Sequence, residues 1–119
     1  KGGYVLKILK YMKSINVDFE CKNNNDMRLI HIISECQDGK YMLDIFKFLK
    51  NIDIDFDSLD YIKRTPIHFI CKWIQGIYLL DILDYFNNIN VCFKHKDHYT
   101  NSIIDYIYKN SNLNRVGNK

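Results

Sequence analysis

The sequence predicts an all-α chain, a solenoid of stacked helix-turn-helix units from which hairpin loops protrude. Three observations lead there. A gap-free shift of 37 residues superposes the chain on itself, apolar residues within each period fall at helical spacing, and a polar stretch separates one helix pair from the next. The shift brings Gly2 onto Gly39 and Gly76, Tyr4 onto Tyr41 and Tyr78, Leu6 onto Leu43 and Leu80, and Ile8 onto Ile45 and Ile82. It continues through Ile15, Ile52 and Ile89, through Phe19, Phe56 and Phe93, and through Ile30, Ile67 and Ile104, while His31 meets His68. Matches scattered over the whole period among changing polar residues point to duplication of a structural unit, not to low complexity.

In chain order, the first expected element is a helix over Tyr4 to Lys13, apolar at Val5, Ile8, Leu9 and Met12. The same stripe returns at Met42, Ile45, Phe46 and Leu49, and again at Leu79, Ile82, Leu83 and Phe86. Tyr78, Ile82 and Tyr85 add a second apolar edge, which predicts a helix packed between neighbours. Thr65-Pro66-Ile67-His68 reads as the start of the other helix of a unit: Thr accepts from orphan N–H groups, and Pro at the first helical position loses nothing. Ile67, Ile70, Cys71 and Ile74 give that helix one apolar face before Gly76 breaks the run. Ile89 to Phe93 then alternates and Lys94 to Thr100 is polar, predicting an extended arm or hairpin. A last helix is expected at about Ser102 to Asn110, with a polar tail from Ser111 to Lys119. The single domain, 1–119, therefore divides into whole units at 23–59 and 60–96. Partial units flank them, 1–22 with a second helix only and 97–119 with a first helix and the tail.

A hydrophobic content of 47% over 119 residues is enough for a core. The net charge of +3 is spread along the chain, so nucleic acid is not an expected partner. No run of about 18 apolar residues occurs, so no membrane span is expected. Lys1-Gly2-Gly3-Tyr4 offers neither an initiator Met nor an apolar leader, which reads as no secretory signal and a chain cut from something longer. Cys21, Cys36, Cys71 and Cys92 form no C-x-x-C pair and read as apolar packing thiols of a reduced, intracellular protein. Cys92, His95 and His98 fall at intervals of three but lack a fourth ligand, so neither metal nor cofactor is expected.

The unit resembles the ankyrin repeat family. Thr65-Pro66-Ile67-His68-Phe69-Ile70 is similar to the Thr-Pro-Leu-His motif that opens that family's first helix, and Asn16-Val17-Asp18-Phe19, Asp53-Ile54-Asp55-Phe56 and Asn90-Val91-Cys92-Phe93 resemble the segment that follows its second helix. Asn23, Asp60 and Asp97 stand where the family places the Asp that begins its hairpin turn. Departures are clear as well. The period exceeds the family's usual length of about 33, and only the central unit has the full motif, the others reading Arg28-Leu29-Ile30-His31 and Ser102-Ile103-Ile104-Asp105. The Ile, Lys, Asn and Tyr richness resembles divergent ankyrin arrays of amoeba-infecting giant viruses or protists, which implies a cytoplasmic setting, in a host if viral.

The resemblance implies a protein-binding module, monomeric and non-catalytic, using a concave face built from hairpin tips and the exposed side of the first helices. Carried over by position, that face takes Asn24, Asn25, Met27 and Ile32 in the first unit, and Tyr61, Ile62, Arg64, Phe69, Lys72 and Trp73 in the central one. His98, Tyr99, Asn101, Tyr106 and Lys109 complete it. Phe69, Trp73 and Tyr106 have the competing reading of core between units. His31 and His68 recur at the period and are expected to be scaffold, hydrogen-bonding backbone between helix and loop. Cys71 falls on an inner helix face, against a nucleophile role for it or for Cys36. No phosphate loop, Ser-His-Asp order or paired-carboxylate motif appears. The alternative to a binding module is a spacer or capping piece of a longer array with no partner of its own.

Overall fold

The structure, a computed structural model, describes residues 2–36, 39–74 and 76–110. Among the described residues there are six helices and no strand: α1 Gly2–Ser14, α2 Leu29–Ser34, α3 Gly39–Asn51, α4 Pro66–Trp73, α5 Gly76–Asn88 and α6 Ile103–Tyr108. They form two rows. The long helices α1, α3 and α5 pack in sequence on one another, and the short helices α2, α4 and α6 do the same. The molecule is elongated, 47 × 29 × 27 Å. The first helix is longer than the sequence predicts and the last shorter, while the tail expected from Ser111 lies outside the described residues.

Each long helix stops in the same way. Asn16, Asp53 and Asn90 adopt left-handed φ of 63°, 61° and 66°, a conformation Asn and Asp tolerate better than other side chains. Their N–H groups donate to Lys13, Lys50 and Asn87. The next residues, Val17, Ile54 and Val91, donate back to Met12, Leu49 and Phe86. This paired 5→2 and 6→1 bonding satisfies orphan carbonyls at the helix end and directs the chain out of it. The Asn-Val and Asp-Ile pairs that follow each long helix are thus C-terminal caps. The alternation from Ile89 to Phe93 does sort buried Val91 from exposed Asn90 and Cys92, but in an irregular arm and not in a strand.

The short helices begin on reciprocal caps. Arg28 and Thr65 donate their backbone N–H to His31 Nδ1 and His68 Nδ1, both at 3.1 Å, and Ser102 donates to Asp105 Oδ2 at 2.8 Å. At the central helix the Thr65 hydroxyl also lies 2.9 Å from the His68 ring, so that threonine and histidine share the cap. Between the rows lies the core, with Ile30, Phe46, Leu49, Ile67, Ile70 and Ile82 among its most buried members. Phe86 stands edge-on to Phe46 and Phe56, with centroids 5.0 and 5.3 Å away. Buried Asn110 donates to the carbonyls of Cys71 and Ile74 at 2.8 and 3.0 Å, pairing the otherwise orphaned end of α4.

Candidate binding surface

The loops between helix pairs turn at three equivalent tips. Asn23, Asp60 and Asp97 each donate a backbone N–H at 3.0 Å to the carbonyl four residues on, those of Met27, Arg64 and Asn101. Their side-chain Oδ1 atoms accept from the N–H groups two and four residues on, at 2.7 to 3.1 Å. One short polar side chain thereby replaces a strand ladder, which is what Asn and Asp do well in turns. Neighbouring tips are joined: Tyr61 N–H donates to the Asn25 carbonyl at 3.0 Å, and His98 N–H to that of Ile62 at 2.8 Å.

Asp97 is the most elaborated of these anchors. Its burial pushes the carboxyl up, but hydrogen bonds from the Tyr106 hydroxyl, from Asn101 and from the Tyr99 N–H outweigh that and hold it below the usual 3.8. Tyr106 donates at 2.5 Å, and burial together with that carboxylate raises its own ionisation well above the ordinary tyrosine range.

The structure divides the surface that the sequence assigns. Asn24, Asn25, Tyr61, His98 and Tyr99 are exposed on the joined tips, with the His98 and Tyr99 rings edge to face at 5.4 Å. Ile32 on α2 and Lys109 after α6 are exposed, while Ile62, Arg64, Lys72, Trp73 and Asn101 are half-buried. Lys72 Nζ lies 5.1 Å from the Trp73 ring. Met27, Phe69 and Tyr106 belong to the core, with Phe69 only 2% exposed, and cannot touch a partner without opening the stack. Phe69 and Tyr106 lie on the short helices as expected, each covered by a histidine of the short helix before it, and Met27 lies in the loop before α2. His31 lies against Phe69 and His68 against Tyr106. Arg64 is also committed, its Nε 2.7 Å from Asp60 Oδ2 and its guanidinium 4.5 Å from the Phe69 ring.

Both repeated histidines are fully buried. His31 Nδ1 accepts from Arg28, so Nε2 carries the proton and donates to the Ser58 carbonyl at 2.9 Å, with that of Arg64 at 3.3 Å. His68 repeats the Nδ1 bond, and its ring faces the backbone of His95 and Asn101, the counterparts of Ser58 and Arg64, in looser geometry than His31 has. Burial lowers the pKa of both below 6.5, which keeps them neutral.

The cysteines separate as well. Cys71 is buried and its thiol is pushed up to about 12, whereas Cys21, Cys36 and Cys92 are exposed, contrary to a packing role for all four. Cys21 and Cys92 lie on loop arms outside the two rows of helices, where no core reaches them. Among the described residues no three His, Cys, Asp or Glu side chains gather into a metal-binding group, and no helix is long and apolar enough to cross a membrane. Sequence reasoning passed over a further set of exposed apolar side chains, Ile8 and Tyr11 on α1 and Leu80, Ile104 and Tyr108 at the other end. Their signal was positional: each sits at a period position whose copies elsewhere are covered. No family model matches the chain, and no curated protein matches it significantly.

Proposed function

We propose that the chain is an ankyrin-type repeat solenoid that binds another protein, without catalysis, through its loop tips. The observation behind this reading is the tip row itself: three turns, each pinned by an Asn or Asp side chain and joined to its neighbour by a backbone hydrogen bond, hold Tyr61, His98 and Tyr99 in solvent. Aromatic side chains on a rigid base lose little freedom on binding, and they are among the residue types that most often dominate interface energy. Asn24 and Asn25 extend the row, Ile32, Lys72 and Trp73 border it on the short helices, and Lys109 follows the last of them. The repeated histidines support a non-catalytic reading, because they serve backbone groups and stay neutral in the core. The partner is a protein surface able to take two tyrosines.

The test is recovery of a specific protein from lysate by the chain, followed by titration of that purified partner against the Tyr61→Ala/Tyr99→Ala double variant. The expected result is unaltered helical circular dichroism with binding weakened by about 2 kcal/mol or more, the scale of hot-spot aromatics. A double variant that folds and binds normally places the interface elsewhere.

A further inference from the structure

The long helices share one exposed stripe, and the repeat sets its charges side by side. Positions 7, 44 and 81, positions 10, 47 and 84, and positions 13, 50 and 87 are exposed on all three, α3 included, although α3 has a long helix packed on either side. Exposure there is a property of the unit, whatever lies beyond the outer helices. The stripe holds Lys7, Lys10 and Lys13 on α1 and Lys47 and Lys50 on α3, with exposed Lys40 near the start of α3 and Asp44 as the one acid on these two helices. On α5 the same positions read Asp81, Asp84 and Asn87. Packing α3 on α1 therefore brings Lys47 alongside Lys10 and Lys50 alongside Lys13, and within each helix these lysines recur three apart, as neighbours on successive turns. Like charges so placed repel. Among the described residues the ion pairs are those of Arg28 with Glu20 and Asp55 and of Arg64 with Asp60, so no carboxylate is in ion-pair contact with the ridge. Positive charge that is spread along the sequence is gathered by the fold onto one face.

We infer that the ridge on α1 and α3 docks on an anionic lipid surface, with α5 turned away from it. Charge complementarity calls for an anionic partner, since six lysines face one acid on these two helices. The residue type selects among such partners. A lysine ammonium is a compact, strongly hydrated point charge, suited to the diffuse field of a layer of headgroups, whereas the phosphates of nucleic acid are gripped best by the arginine fork. Both arginines among the described residues are committed to carboxylates elsewhere. Lys7 Nζ lies 5.6 Å from the Tyr4 ring and Lys40 Nζ 5.4 Å from the Tyr41 ring. Tyrosine, with an apolar ring and a wet hydroxyl, is a side chain that settles at headgroup level. Asp81 and Asp84 are repelled by the same surface, which fixes the orientation. The contact is peripheral, because no helix among the described residues is long and apolar enough to cross a bilayer. It shares no residue with the loop tips, so docking leaves Tyr61 and Tyr99 open to a protein.

Co-sedimentation of the 119-residue chain with lipid vesicles tests this. At about 0.1 M salt the wild type is expected to sediment with phosphatidylcholine vesicles containing about 30% phosphatidylserine and not with phosphatidylcholine alone, and to come off as salt rises to about 0.5 M. Lys10→Glu/Lys47→Glu is expected to lower the partition coefficient by about tenfold or more, each lysine near an anionic surface being worth about fivefold. Lys22→Glu/Lys96→Glu, the same change in charge at exposed loop positions off the ridge, is expected to stay within about threefold of the wild type. Equal losses in the two variants mean that net charge and not this face attracts the lipid, and they overturn the inference, as does a wild type that ignores the anionic vesicles. A wild type that binds a mixed-sequence DNA duplex and not the vesicles assigns the ridge to nucleic acid and overturns it too. Should Lys10→Glu/Lys47→Glu lose helix by circular dichroism, Lys10→Gln/Lys47→Gln takes its place, with a loss in the same direction. The tip tyrosines play no part, so Tyr61→Ala/Tyr99→Ala partitions as the wild type does, which separates this face from the proposed protein-binding surface.

Discussion

The ring of His31 stands edge-on to that of Phe69, 5.9 Å between centroids and 82° between planes, and His68 repeats the contact on Tyr106 at 4.8 Å and 67°. Each imidazole therefore serves two structural levels at once. Its Nδ1 caps the helix it belongs to, and its edge packs against the aromatic side chain of the next short helix. The histidine couples local helix formation to stacking, so its loss is felt across the row.

Replacing either histidine by alanine is expected to cost about 1–3 kcal/mol, the penalty for leaving buried partners unsatisfied together with the loss of ring packing. The two are not equal. His31 bonds the Ser58 carbonyl through Nε2 at 2.9 Å, whereas the His68 ring faces the equivalent backbone of His95 and Asn101 in looser geometry, so His31→Ala loses more. Urea titrations of both variants measure the difference, and a larger loss for His68→Ala contradicts the assigned bonding.

Acid should loosen the stack through the same residues. Burial lowers both histidine pKa values in the folded state, so below the ordinary 6.5 the unfolded chain takes up protons that the folded chain refuses. Stability therefore falls as pH drops from about 6.5 toward the folded values. Asp97, with its pKa held below 3.8, adds a loss at lower pH, as its carboxylate is protonated. Urea midpoints at pH 7.5 and 5.5 test the first step. A His31→Gln/His68→Gln variant is expected to show a flatter dependence, and an unchanged slope in it removes the histidines as the cause.

Much of the helical architecture was legible because the period leaves its apolar stripe on every copy: Ile45, Ile82, Ile67 and Ile30 are buried as their spacing requires. The caps were not. Asn16, Asp53 and Asn90 look like ordinary loop residues until their positive φ is known, and the alternation after them resembles an arm although it begins as a helix terminus. At the surface, the tip residues Tyr61 and Tyr99 are exposed as position alone suggests, but Phe69 and Tyr106 are not. Their burial depends on a histidine from the preceding unit, a contact between residues 38 apart that no local pattern encodes. Ile32 shows the converse: it holds Phe69's position in the first unit and remains exposed.

The tips store backbone strain at one position in each unit. Asp26, Lys63 and Thr100 have φ of 56°, 62° and 64°, and Thr100 is β-branched, the least tolerant type in this region. Thr100→Gly is expected to raise stability by up to about 1 kcal/mol, strain relief outweighing the added freedom of the unfolded chain. Asp26→Gly and Lys63→Gly should gain less. Thermal melts rank the three, and a destabilised Thr100→Gly shows that the hydroxyl's contact with the Tyr99 carbonyl outweighs the strain.

Gly39 and Gly3 form the sharpest contrast among the glycines of the long helices. A Cβ on Gly39 would meet Tyr78 Cβ at 2.8 Å and its ring carbons at 3.1 Å, distances that force one helix off the other. The side-chain stem of Tyr78 cannot swing away, since its Cβ is fixed by the backbone of α5. On Gly3 the same atom meets only Tyr41 Cε1, at an ordinary 3.7 Å. Gly39→Ala is therefore expected to destabilise by about 1–3 kcal/mol through overpacking of α3 against α5. Gly3→Ala, near the start of an exposed helix, is expected to be neutral or to gain up to about 1 kcal/mol from helix propensity. Urea titration of the two variants side by side decides the point. Equal effects mean that α3 and α5 are packed less closely at Gly39 than the distance to Tyr78 requires, and that the recurring glycine serves only to start the helix.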